Sequence, residues 1–88
     1  MAYRILIVDD EIEVVTMLDS FLRRNGYHVS RALDGAEAIS KAAERPDLIL
    51  LDINMPQMDG IEVCKAIREI VSCPIVFFDC TGPGDGQN

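Results

Sequence analysis

The sequence predicts an α/β fold, a parallel sheet with helices on both faces, and three observations carry that prediction. Short apolar runs of strand length, Arg4–Val8, His28–Ala32, Leu48–Asp52 and Pro74–Phe78, alternate with segments whose apolar residues recur at helical spacing. The connections are short, so each strand-to-strand passage is a helical crossover, which is right-handed in a parallel sheet. The first and third runs end in carboxylates, Asp9-Asp10 and Asp52. In open parallel sheets the carboxyl ends of the strands are where ligands bind.

Arg4–Val8 reads as a buried strand delivering Asp9-Asp10-Glu11 to its end. From Ile12 to Asn25 the residues Ile12, Val15, Leu18 and Leu22 form a helical stripe, widened by Val14, Met17 and Phe21, and Asn25-Gly26 stops it. Asp10 with Glu13 fits a capping box at its start. His28–Ala32 is mixed in polarity and suits an edge strand. The next helix opens with Asp34-Gly35-Ala36-Glu37 and runs to about Glu44, its stripe being Ala36, Ile39, Ala42 and Ala43, and Pro46 ends it. Leu48–Asp52 reads as a strand buried on both faces. After the loop Ile53–Asp59, a third helix starts at Asp59-Gly60-Ile61-Glu62, presents Ile61, Cys64, Ile67 and Val71 on one face, and ends near Ser72. Pro74–Phe78 is the fourth strand, with proline at the permitted first position.

The totals restrict function. Eighty-eight residues make one small domain, able to bury only about 60–65% of its extended surface. Residues 1–78 form that domain, and residues 79–88, with three glycines and no periodicity, read as a flexible tail. A net charge of -7 argues against nucleic acid as a direct partner, since phosphate backbones require Lys and Arg. No apolar run approaches the roughly 18 residues of a membrane span, and the N-terminus carries no signal-peptide pattern. Cys64, Cys73 and Cys80 are odd in number and lack metal-ligand spacing, which fits reduced thiols and a cytoplasmic location.

Neighbouring strands would bring Asp9, Asp10 and Asp52 within a few ångströms. Carboxylates that close repel, and a hard divalent cation answers the repulsion. Mg2+ suits a small carboxylate set that keeps waters and leaves room for a phosphate. A carboxylate beside such an ion can be a nucleophile toward phosphorus. The bland alternative is that an acid after a strand is a helix cap or turn residue. Asp59 reads as a cap, and Glu11 and Glu13 as first-turn acids favoured by the helix dipole. His28 reads as a surface residue, and Met55 and Met58 as loop packing.

The residues Ile5-Leu6-Ile7-Val8-Asp9-Asp10-Glu11, Asp52-Ile53-Asn54-Met55-Pro56-Gln57-Met58-Asp59-Gly60 and Pro74-Ile75-Val76-Phe77 together resemble the receiver domain of bacterial two-component response regulators. The resemblance covers residues 3 to 78. It implies a flavodoxin-like sheet of order 2-1-3-4-5 with binding at the switch point between strands 1 and 3. It implies that Asp52 accepts a phosphoryl group from a histidine kinase. It implies that Asp10 and Asp52 ligate Mg2+ through side chains, Asn54 through its backbone carbonyl and Asp9 through water.

The sequence also departs from the family pattern. Asp79 stands where the family carries Ser or Thr after the fourth strand, and the only lysines are Lys41 and Lys65, both on predicted helices. The fourth helix, the fifth strand with its Lys-Pro and the fifth helix have no counterpart in these 88 residues. The expectation is therefore a truncated receiver with impaired phosphorylation. A folded form is expected to be a homodimer or higher oligomer through the strand-4 edge or an uncovered sheet face. The alternatives are a non-phosphorylated dimerisation or partner-binding module on the same fold and, more weakly, an Mg2+-dependent phosphohydrolase. Asn54 stands where the hydrolase would need a second acid, two residues after Asp52.

Overall fold

The computed structural model describes residues 3–55 and 59–78. Strands and helices alternate along it: β1 (Arg4–Val8), α1 (Ile12–Arg24), β2 (His28–Ala32), α2 (Gly35–Ala42), β3 (Leu48–Asp52), α3 (Gly60–Arg68) and β4 (Ile75–Phe78). The strands form one parallel sheet in the order β2-β1-β3-β4. The mixed-polarity β2 lies at one edge, and β1 and β3 pair centrally in the register Ile5↔Leu48 to Val8↔Leu51. The expected tail at residues 79–88 lies outside the described residues.

Strand alternation divides the core into two faces. Leu6 and Val8 of β1 and Ile49 and Leu51 of β3 point to the first face, where Ala38 and Ala42 of α2 and Val63 and Ile67 of α3 cover them. Met55 is buried in the same cluster, so it packs as expected. These side chains are fully buried, apart from a slightly exposed Met55. Each buried Leu, Ile or Val contributes about 1.5–3 kcal/mol. On the second face Ile5 and Ile7 lie under Val15 of α1, with Leu18, Leu22, Leu48 and Leu50 half-buried around them. Helix α1 rests mainly on β1 and β2. It is pinned toward β2 by Asp19, which pairs with Arg23 one turn on and with Arg31 of β2 at 3.3 Å.

The helix ends follow local chemistry. Asp34 Oδ1 accepts the Glu37 N–H at 2.8 Å, and Glu37 Oε1 accepts the Leu33 N–H at 2.8 Å, a reciprocal cap at the start of α2. Asp59 Oδ1 accepts the Ile61 N–H at 2.9 Å at the start of α3. Helix α1 closes through Gly26, whose φ of 92° lies in the left-handed region that glycine enters without strain.

Several expected faces are corrected. Ile12, Met17 and Phe21 are 59%, 62% and 60% exposed, so the buried stripe of α1 narrows to Val15, Leu18 and Leu22. In α2 the buried alanines are Ala38 and Ala42, while Ala36 and Ala43 face water. In α3 Val63 replaces Ile61, which is 55% exposed. Each helix sits on one sheet face only, so apolar residues turned away from that face find nothing to pack on. Helix α2 ends four residues earlier than Pro46, at Ala42, and α3 ends at Arg68. Arg45, which carries the chain into Pro46, takes φ 61° in the left-handed region. Strand β3 is central by pairing yet only half-covered on one face, where Leu48 and Leu50 remain partly exposed.

Candidate metal centre

The sheet itself positions the acids. Asp9 follows β1 directly, and its backbone N–H donates to Ala32 O at 3.1 Å, extending the β1–β2 ladder by one rung. Asp52 is the last residue of β3 and pairs in register with Phe78, and the next amide, Ile53, donates to Phe78 O at 3.1 Å. Both carboxylates therefore stand on backbone held from the side.

A common local bond then turns the chain away from each strand. Asp9 Oδ1 accepts the Glu11 N–H at 3.0 Å, and Asp52 Oδ1 accepts the Asn54 N–H at 2.9 Å. An aspartate bonding the amide two residues on is an Asx turn. It fixes the carboxylate and leads the main chain off to one side. The expected capping box of Asp10 and Glu13 does not form. The N-cap of α1 is Glu11, with no side-chain cap bond, so the helix starts one residue later than that pattern requires and Asp10 lies outside it.

Asp9, Asp10 and Asp52 each place a carboxylate oxygen within 4.8 Å of the others. Asp9 is completely buried, Asp52 is 3% exposed, and Asp10 is half-buried at the mouth. Asn54 lies in the exposed turn just after Asp52. Three converging hard oxygens match a magnesium-type cation, which keeps several of its own waters. Among the described residues no soft sulfur or imidazole joins them. The residues present thus fit Mg2+ in the chemistry of their donors.

The other titratable groups stand apart. Burial pushes the Cys73 thiol above its usual value of 9.0, with the Arg68 guanidinium pulling the other way. Cys73 lies just before β4, at the opposite end of the sheet from the acids. A further buried acid, Asp19, lies between two arginines, Arg23 and Arg31. The four-residue spacing of Asp19 and Arg23 was a usable signal for half of that network. Asp79, Pro56, Gln57 and Met58 lie outside the described residues.

Comparison with known proteins places this geometry. The model of the response regulator receiver domain family matches residues 5–84. The chain is 54% identical over 70 residues to the alkaline phosphatase synthesis transcriptional regulatory protein PhoP of Bacillus subtilis, covering 78% of this chain and 29% of that protein. It is 53% identical over 66 residues to the transcriptional regulatory protein PrrA of Mycobacterium leprae, covering 74% of this chain and 28% of that one. The chain thus spans under a third of these curated relatives. Among solved structures, the chemotaxis protein CheY4 of Vibrio cholerae superposes with a TM-score of 0.81 at 37% identity, over 94% of this chain and 73% of that one. A structure of the histidine kinase ThkA in complex with the response regulator protein TrrA matches with a TM-score of 0.80 at 34% identity, over 99% of this chain and 76% of the matched one.

Proposed function

The chain belongs to the response regulator receiver family, and from that premise we propose that it receives a phosphoryl group on Asp52 beside Mg2+ held by Asp9, Asp10, Asp52 and Asn54. The observation that carries the proposal is the convergence of three carboxylates from two adjacent strand ends within 4.8 Å. A helix cap needs one carboxylate beside one amide. Three acids gathered where two of them are buried call for a cation.

The chemistry follows from the Asp52 carboxylate. Its Oδ1 is engaged by the Asn54 N–H, which sets the plane of the group. The other oxygen attacks phosphorus in line. An O–P bond forms, the bond from phosphorus to the donor atom breaks, and the leaving group departs with that electron pair. The product is an acyl phosphate. When bound here, Mg2+ would offset charge on the transferring phosphoryl oxygens. Asp9 and Asp10 would hold the cation, and the ladder bonds beneath Asp9 and Asp52 keep their carboxylates in position before the donor arrives. The donor fitting this family is the phosphohistidine of a histidine kinase. The product adds about -1.5 to -2 charge to a crowded acidic site, which is enough to bias a conformational equilibrium.

The test is intact mass after incubation with a small acyl or amido phosphate and Mg2+. A phosphate-sized gain that disappears in Asp52→Asn and under chelation supports the proposal. No gain in the unaltered chain contradicts it.

A further inference from the structure

The chain after β3 leaves the core and returns to it at once. Asp52 is buried, Ile53 and Asn54 are exposed, and Met55 is buried again. The first half of this turn is tied by main-chain hydrogen bonding, with the Ile53 N–H on Phe78 O at 3.1 Å and the Asn54 N–H on Asp52 Oδ1 at 2.9 Å. The second half is tied by packing. The Met55 side chain lies in the core cluster that holds Leu51, Val63 and Ile67. A thioether fills such an apolar gap without leaving a strong polar group unpaired. The start of α3 closes the same turn from the side. Gly60, the first residue of that helix, is buried, and a Cβ built on it would stand 3.4 Å from Ile53 Cα, 3.6 Å from Asp52 O and 3.8 Å from Ile53 O. The helix therefore rests on the Asp52–Ile53 peptide, with room at Gly60 for a methyl group and little more. Asp59 caps the helix directly before this contact, so the wall is itself fixed.

We infer that Met55 and Gly60 are positioning residues for the cation site, holding the Asp52–Asn54 main chain in place through a buried thioether at its end and a bare helix start at its side. The inference rests on the reading of Asp9, Asp10, Asp52 and Asn54 as an Mg2+ site. Neither Met55 nor Gly60 brings a hard side-chain oxygen, so each acts through the geometry of the turn alone. Asn54 would serve by its main chain from an exposed turn, where its own side chain is not held by the core. Ligands of such a site must keep their places to within about 0.5 Å. Met55→Ala would empty a space beneath the turn, which the surroundings refill only in part. Met55→Leu would keep volume and apolarity. At Gly60 the graded change runs the other way. Alanine fits the gap, and the branched side chain of valine would push on the Asp52–Ile53 peptide.

Mg2+ titration calorimetry on the 88-residue chain tests this, with circular dichroism to check that each variant folds and a melting curve for its stability. Met55→Ala and Gly60→Val should each weaken Mg2+ by about tenfold, the lower end of what supporting residues around a metal commonly cost. Met55→Leu and Gly60→Ala should bind as the unaltered chain does. Ile67→Ala is the control for a merely structural role. It empties the same core about 10 Å further along α3, and should lower the melting temperature while leaving Mg2+ affinity unchanged. If Met55→Ala does not fold, the Gly60 pair decides alone. Binding that is indifferent to Met55→Ala and Gly60→Val overturns the inference and leaves the metal site standing. So does binding that weakens in Ile67→Ala as much as in Met55→Ala, which would make affinity a reflection of stability. No binding to the unaltered chain overturns the metal site itself, and this inference with it.

Discussion

The strand ends and the helix starts of this protein use the same residue, bonded to a nearby backbone amide, to different effect. At the strand ends, Asp9 and Asp52 each accept an amide N–H two residues on. At the start of α3, Asp59 does the same with Ile61, and at the start of α2, Asp34 accepts the N–H of Glu37, three residues on. Judged by hydrogen bonds alone, all four are turn or cap residues. The difference lies in surroundings. Asp34 and Asp59 are exposed, each with water to carry its charge. Asp9 and Asp52 are buried, and a third acid joins them within 4.8 Å. Burial and convergence, more than local bonding, distinguish a chemical carboxylate from a structural one.

That comparison can be broken by substitution. The largest expected effect is complete loss of the phosphate-sized mass gain in Asp52→Asn, with the gain intact in Asp34→Asn and Asp59→Asn. Next, Asp10→Asn should weaken Mg2+ by about tenfold or more, since even second-shell changes commonly cost 10- to 100-fold. Mg2+ at a hundred times its dissociation constant should stabilise the unaltered chain by about 2.7 kcal/mol, read as a rise in melting temperature. The smallest effects differ in sign. Asp34→Ala or Asp59→Ala should cost about 1 kcal/mol in any buffer through loss of a cap, or roughly 4–8 °C in a domain of this size. Asp10→Asn should instead raise the melting temperature of the metal-free chain, because it removes a like charge from the cluster. A drop for Asp10→Asn in chelator would place that residue among the caps.

Strand identity was legible because apolar runs bounded by turn residues leave few choices, while strand order came only with the family resemblance. Every strand falls within one residue of its expected span. The acids were legible as a group because adjacent parallel strands must deliver their ends together. Helix faces were less so. Periodicity marked α1 as amphipathic, but Ile12, Met17 and Phe21 pack only if something lies beside the helix as well as beneath it, and spacing along one chain does not state that. The Asp10 cap failed for a similar reason. The pattern fits a box, but the helix takes Glu11 as its N-cap, one residue later, a shift that spacing cannot rank. Arg45 in the left-handed region carried no sequence signal beyond the proline that follows it.

The most direct test is an Mg2+ titration by calorimetry on the unaltered chain and four single variants. Asp10→Asn and Asp52→Asn should each reduce affinity by about tenfold or more, while Asp34→Asn and Asp59→Asn, whose carboxylates lie outside the cluster, should leave it within about twofold. Binding weakened as much by a helix-start variant as by a strand-end variant, or no binding to the unaltered chain, would contradict the division between the two sets of acids.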